Sequence, residues 1–282
     1  MMFRNLLAGL VVVTLSARAE AGGGFAALEA AHGGRLGVAA LDTGSGQRVG
    51  HRADERFAMC STFKLLLAAA VLARVDAGEE SLDRTVTYGE ADLLSYAPIT
   101  RKHLPRMTVG ELCAAAIQYS DNTAANLLLR TVGGPKGLTR YLRSSGDKVT
   151  RLDRIEPELN SNLPGDERDA TTPAAVVGTM RHLLTGKALS KASSAQLNLW
   201  LVGNTTGDKR LRAGVAPAWK VGDKTGTGGL GAANDVAIVW PKEGATPWLV
   251  AVFYSAPAAK PAEREAVIAA AGKLVAEAFS GR

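Results

Sequence analysis

The chain has 282 residues, 46% of them hydrophobic and 21% charged, a balance that places it with globular proteins and gives it length for one large domain or two smaller ones. Its formal net charge of +6 is spread without a basic block and aromatic residues make up only 5%, so the surplus reads as a solvated face and no nucleic-acid partner is expected. No internal repeat or low-complexity tract is evident.

Arg4 precedes an apolar stretch over 6–15 that is too short to span a bilayer, and Ala17-Arg18-Ala19 fits a small-x-small cleavage site. Residues 1–19 are therefore expected to be a secretory signal peptide, cleaved after residue 19 or 21. Arg18 and Glu20 close the apolar run early, so no stable membrane anchor is expected, and the chain should reach the periplasm or the exterior. A short amphipathic helix follows over 25–32, ended by Gly33-Gly34. Residues 35–42 and 47–52 flank Thr43-Gly44-Ser45-Gly46 and predict a β-hairpin.

The stretch Ser61-Thr62-Phe63-Lys64 opens an apolar run to Ala73, Leu- and Ala-rich and too long for a buried strand, so a buried helix should start near Ser61. Ser61 could serve only as an N-cap. A capping box would want Glu or Gln at position 64, however, and a lysine there faces the positive end of the helix dipole. Serine at i and lysine at i+3 share a helix face, which sets a hydroxyl beside an amine whose pKa burial can lower, an activated-nucleophile arrangement. The spacing alone is weak, since Ser145-Gly146-Asp147-Lys148 matches it within a polar turn.

The middle of the chain has helical patterns over 108–119, 122–132, 135–144, 173–185 and 191–203 and little β-character. Strands return over 219–225, 234–240 and 247–254. A final helix over 261–279 has proline in its first turn with Glu263 and Glu265 early. Strands from both ends of the chain predict one antiparallel sheet flanked by terminal helices, with the middle inserted as an all-helical domain: an α+β fold. The expected division is 22–59 plus 204–282 for the sheet domain and 60–203 for the helical one. An oxidising compartment permits a disulfide between Cys60 and Cys113, the only cysteines. Two buried free thiols are the favoured alternative, because Cys60 abuts the buried helix and Cys113 lies in the apolar run over 112–117.

Three further stretches stand out. Ser120-Asp121-Asn122 presents a hydroxyl, a carboxylate and an amide, though it could be a plain N-cap and turn. Glu156-Pro157-Glu158-Leu159-Asn160 lies in a loop and could be a charged surface turn. Lys224-Thr225-Gly226-Thr227-Gly228 ends a strand and could be only a strand terminus.

Together, and in the order S-x-x-K, S-D-N, E-x-x-x-N, K-T-G, these motifs resemble the class A serine β-lactamases over essentially the whole mature chain. The resemblance implies a five-stranded antiparallel sheet in the α/β domain, a loop over about 151–169 in the helical one, and metal-independent hydrolysis of penicillins and cephalosporins by a monomer without cofactors. It also implies roles. Ser61 is the nucleophile, Lys64 and Glu156 are the candidate bases, and Glu156 with Asn160 readies the deacylating water. Ser120 relays a proton to the leaving nitrogen, and the backbone N–H groups of Ser61 and Thr227 form an oxyanion hole. Asn122 meets the drug's side-chain amide; Lys224, Thr225, Gly226 and Thr227 form the carboxylate-binding strand; Tyr96 stands at the cleft mouth. Arg154 and Asp169 resemble the ion pair closing the family's loop, with Asp121 and Cys60 structural beside the site.

The sequence departs from the family twice. No arginine follows K-T-G within Ala232-Ala233-Asn234-Asp235, and Arg210 matches the arginine that replaces it in another branch. Cys60 matches the cysteine that carbapenem-hydrolysing members bridge to a partner beside K-T-G, but the partner position here is Gly228. The rivals are a penicillin-binding peptidase or transpeptidase and a β-lactam sensor that stays acylated; each would lack Glu156. The four histidines, His32, His51, His103 and His182, form no metal-spaced cluster, and no nucleophile elbow supports a Ser-His-Asp hydrolase.

Overall fold

The computed structural model describes residues 23–186 and 188–281, so the expected signal peptide lies outside the described residues. A helix over 23–32 (α1) leads into the hairpin β1 (Arg35–Asp42) and β2 (Arg48–His51). After β3 (Phe57–Ala58), a 3₁₀ turn at Cys60–Thr62 runs into α2 (Phe63–Asp76). The buried helix thus begins two residues later than the sequence suggested, and Ser61 lies in the tighter turn. Thr62 takes the N-cap position with no side-chain cap bond, because its hydroxyl donates backwards to the Met59 carbonyl at 2.8 Å. Every residue from Phe63 to Leu72 is buried, which is why this helix is apolar on all sides.

The middle section contains β4 (Thr85–Thr87), β5 (Arg106–Thr108), α3 (Val109–Gln118), α4 (Asn122–Thr131), α5 (Gly134–Ser144), β6 (Ala170–Thr171), α6 (Pro173–Met180) and α7 (Lys191–Val202). Local chemistry sets these boundaries. Thr108 and Glu111 form a reciprocal capping box at α3, and the Thr172 and Ser190 hydroxyls accept the first amides of α6 and α7. The structure departs from the expected elements at two places. The helix expected over 173–185 ends as α at Met180 and continues as a π turn over Arg181–Thr185. The section also holds two short ribbons, β3 with β6 and β4 with β5, whose strands of two or three residues carry no readable alternation.

The chain closes with β7 (Lys220–Thr227), β8 (Ala232–Trp240), β9 (Trp248–Ser255) and α8 (Pro261–Ser280). The five long strands pair in the order β2-β1-β9-β8-β7, antiparallel throughout. Alternate residues of β1 serve two cores: Leu36, Val38 and Ala40 pack with Phe25 of α1 and Val267 and Ile268 of α8, while Ala39 and Leu41 face the core built on α2. Both faces are covered, so the strands read as nearly continuous apolar runs. β7 is an edge strand, and its free edge passes the turn before α2. Gly226 permits that approach: a Cβ there would stand 2.7 Å from the Met59 carbonyl oxygen. Cys60 and Cys113 are buried free thiols whose pKa values burial pushes up, to about 12 for Cys60. No described helix is long and apolar enough to cross a membrane.

Candidate active site

Three other parts of the chain converge on the start of α2. The 3₁₀ turn supplies Ser61, the first turn of α2 supplies Lys64, the α3–α4 junction supplies Ser120 and Asn122, and a loop between α5 and β6 supplies Glu156 and Asn160. Edge strand β7 brings Lys224, Thr225, Gly226 and Thr227 alongside. Ser61, Tyr96, Ser120, Asn122, Asn160 and Thr227 border an open cleft of about 320 Å³, together with Thr206, Arg210 and Thr225. Its size suits a small molecule.

Lys64 is fully buried, and its ammonium nitrogen has five oxygens within reach. They are Ser61 Oγ at 2.9 Å, Ser120 O at 2.8 Å, Asn122 Oδ1 at 2.6 Å, Glu156 Oε1 at 3.0 Å and Ser120 Oγ at 3.4 Å. The lysine that was costly for the helix dipole is thus held by side chains and a carbonyl from other elements. Burial lowers its pKa, and the carboxylates of Glu156 and Asp121 oppose that shift. The Ser61 hydroxyl donates to Glu156 Oε1 at 3.3 Å, while Asn160 Nδ2 donates to Glu156 Oε2 at 2.5 Å. A hydroxyl, an amine with a depressed pKa and a buried carboxylate therefore form one hydrogen-bonded unit, as an activated nucleophile requires.

Ser120 sits at φ +56, a left-handed conformation uncommon for serine. Its neighbour Asp121 caps α4 by accepting the Ala124 amide at 2.9 Å, and also receives the Ile99 and Thr100 amides and the Thr100 hydroxyl. This part of the motif is an N-cap after all. It pins the strained turn that points the Ser120 hydroxyl at two lysines, 3.1 Å from Lys224 Nζ and 3.4 Å from Lys64 Nζ.

Lys224 is likewise fully buried. Burial and the charge of Lys64 pull its pKa down to about 7. Behind it, Asp223 and Asp235 are buried carboxyls raised above the usual range by burial, Asp235 strongly so. Arg210 reaches the end of β7: its guanidinium donates to the Gly226 and Asn234 carbonyls at 2.8 Å each and to Thr227 Oγ1 at 2.7 Å. Arg210 lines the cleft, and the buried amines of Lys64 and Lys224 stand behind the Ser120 hydroxyl, so basic groups gather on this side of it. Tyr96 is half-exposed at its mouth.

The loop that carries Glu156 is closed at its neck. Arg154 Nε meets Asp169 Oδ2 at 2.5 Å, and the other oxygen of Asp169 accepts the amides of Asp153 and Arg154. At its far end the Gly229 amide donates to the Asn160 carbonyl at 2.8 Å. Gly228 leaves room there for Cys60, since a Cβ would lie 2.6 Å from its sulfur.

Two residues escaped the sequence reading. Asn126 receives the Glu156 amide at 3.0 Å and donates to the Glu156 carbonyl at 2.8 Å, fixing the carboxylate's backbone to α4. Its only signal was a polar residue within an apolar run, four after Asn122 and so on the same helix face. Thr206 touches Thr225 hydroxyl to hydroxyl at 2.5 Å and accompanies Arg210 in the cleft wall; it looked like an ordinary turn residue. Asn126→Ala leaves both Glu156 backbone groups without these partners and is expected to lower the unfolding free energy by about 1–3 kcal/mol. Urea denaturation measures this, and an unchanged midpoint would contradict the tie.

The family model described as "Beta-lactamase enzyme family" matches residues 24–279. Beta-lactamase L2 of Stenotrophomonas maltophilia is 52% identical over 251 residues, covering 89% of this chain and 83% of the relative. Carbapenem-hydrolyzing beta-lactamase KPC of Klebsiella oxytoca is 53% identical over 255 residues, covering 90% and 87%. Among solved structures, an ancestral class A beta-lactamase (GNCA) superposes with a TM-score of 0.90 at 60% identity, over 92% of this chain and all of that one.

Proposed function

The chain belongs to the class A serine β-lactamases, enzymes that hydrolyse β-lactams and so confer resistance, and from that premise we propose how its own residues divide the reaction on penicillins and cephalosporins. The drug's carboxylate docks against Lys224, Thr225, Thr227 and Arg210, and Asn122 meets its side-chain amide. Ser61 Oγ bonds to the lactam carbonyl carbon as its proton passes to the Lys64–Glu156 pair. The oxyanion is held by the backbone N–H groups of Ser61 and Thr227. The carbon–nitrogen bond then breaks, and the nitrogen takes a proton relayed by Ser120. In the second half, Glu156 removes a proton from a water oriented with Asn160, the hydroxide attacks the ester carbonyl, and Ser61 Oγ leaves with a proton returned by the pair.

One observation carries this reading: a single buried carboxylate reaches the Ser61 hydroxyl with one oxygen and the Asn160 amide with the other. A penicillin-binding peptidase or a sensor domain has no use for that second arm. The test is turnover of a chromogenic cephalosporin by the purified chain. Many turnovers per protein support it, and labelling that stops at one drug per protein overturns it. We further infer a monomer exported through an N-terminal signal.

The depressed pKa of Lys224 gives a pH prediction. Its charged form, the one that attracts a carboxylate, predominates below about 7 in the free protein and is lost as pH rises through that value. Second-order turnover of an anionic β-lactam is therefore expected to decline on the alkaline side, with the limb shifted upward in kcat because bound carboxylate restores the charge. Lys224→Arg should remove the limb. A native profile that stays flat from neutral pH into the alkaline range would contradict the assignment.

A further inference from the structure

A second recess, larger than the cleft at about 480 Å³, lies on the far side of the loop that carries Glu156. One wall is the loop from Ser161 to Arg168; the others are Arg35 and Arg56 near the sheet and Leu230 in the turn between β7 and β8. We propose that this recess is a binding site for a compact aryl anion, a carboxylate or sulfonate on a flat apolar body, and that its occupant slows the reaction in the cleft through Ser161 and Asn162.

The apolar part of the ligand has a surface to cover. Leu163 and Leu230 border the recess while 52% and 45% exposed, two of the few large hydrophobic side chains left open to solvent among the described residues. The anionic part has one guanidinium to meet. Arg154 is committed to Asp169, Arg168 to Asp166, and Arg35 to Glu55 and the Phe57 ring. Arg56 is held more loosely: its ion pair with Glu167 spans 3.8 Å, and its other bond is to the Val149 carbonyl at 3.2 Å. Glu167 is largely exposed, so a ligand anion can replace it with little loss, as an aryl anion that also covers Leu163 would do. A third observation points the same way. Ser161 Oγ is buried at the recess wall without a hydrogen-bond partner among the described residues, although buried hydroxyls are nearly always paired.

The recess touches the reactive cleft through a short chain of hydrogen bonds. Asn162 Nδ2 donates to the Gly229 carbonyl at 3.1 Å and to Ser255 Oγ at 3.3 Å, and the Gly229 amide returns to the Asn160 carbonyl. Asn160 in turn holds Glu156 Oε2. A ligand that draws Ser161 or Asn162 toward itself shifts the amide that orients Glu156. The kinetic part of the proposal rests on the deacylating role given to Glu156 and Asn160; the binding part does not.

The test is titration of the native chain with 2-naphthalenesulfonate, followed by backbone amide shifts and by turnover of a chromogenic cephalosporin. The expected result is saturable binding with the largest shifts at Ser161, Asn162, Leu163 and Leu230, and a fall in kcat that follows the same saturation curve. Glu167→Gln removes the internal competitor and should tighten binding about threefold or more, while Leu163→Glu should weaken it at least tenfold, both variants keeping native turnover without the probe. Shifts that never saturate, shifts confined to the cleft around Tyr96 and Thr206, or affinities unchanged in both variants would overturn the site. Saturable binding with unchanged turnover would overturn the coupling. A wrong role for Glu156 shows separately, as continued turnover by Glu156→Gln.

Discussion

Glu156→Gln is expected to acylate once on Ser61 and then stall. The substitution keeps the shape of the side chain and an oxygen able to accept from Asn160, but it removes the negative charge that supports the proton on Lys64. Lys64 is already pulled down by burial, and Glu156 is the main group opposing that pull, so its loss lowers the lysine further and favours the neutral amine. That amine lies 2.9 Å from the Ser61 hydroxyl and can accept its proton, so acylation persists. The ester then meets a water with no carboxylate to deprotonate it. Turnover should fall by about 10²–10⁴-fold, the usual contribution of a positioned general base. A burst of ring opening equal to about one drug per protein, read by the chromophore change and followed by a slow phase, is the kinetic sign. Native steady-state turnover in the variant would remove Glu156 from the second half of the reaction.

Ser61→Ala should have the larger effect on the rate. Without the hydroxyl no covalent step is available, and kcat should drop on the order of 10⁶-fold, the scale reached when the nucleophile of a concerted unit is removed. That is about 8 kcal/mol of lost transition-state stabilisation. The fold should survive, because Ser61 makes no capping bond and Lys64 keeps Ser120, Asn122 and Glu156 as partners. A β-lactam carboxylate should still bind at Lys224 and Arg210, so the variant should retain a measurable Kd for penicillin. Residual hydrolysis within tenfold of native would point to a different nucleophile. The look-alike Ser145-Gly146-Asp147-Lys148 forms a C-cap and turn after α5, away from the cleft, and offers no substitute.

The long elements were legible in the sequence because each has a cause within its own residues. α2 is apolar on every side because it is buried on every side, and α3, α6 and α7 begin at capping residues that could be read directly. The oddity of Lys64 was legible for the opposite reason. A cation in the first turn opposes the helix dipole, and a residue that breaks a local rule marks a site where tertiary contacts decide. The start of α2 was misplaced by two residues because Thr62 turns its hydroxyl back to Met59, a choice that depends on how the preceding strand arrives. The ribbons β3·β6 and β4·β5 join segments far apart in sequence through two or three pairs, below the length at which alternation can be seen.

The same distinction runs through the site. Ser120-Asp121-Asn122 reads in the sequence as either a cap or a functional stretch; in the structure Asp121 caps α4 and its two neighbours line the cleft. Asn126 and Thr206 stayed hidden because their roles lie in distant partners, Glu156 for Asn126 and Thr225 for Thr206, which no local pattern announces. Only family likeness points to Arg210 in the sequence, and what fixes its position is non-local: its guanidinium donates to Gly226, Asn234 and Thr227 on the neighbouring strands.

The central claim is that Ser61 carries the acyl group and Glu156 empties it. Rapid quenching during penicillin turnover, followed by peptide mass mapping, tests it most directly. Opening a lactam expels no atoms, so the adduct must add the full mass of the drug. It should appear on the Ser61 peptide of the native chain, decay as the drug is consumed, and accumulate to about one per protein in Glu156→Gln. An adduct on another residue, or Glu156→Gln releasing product at the native rate with no adduct, would contradict the account.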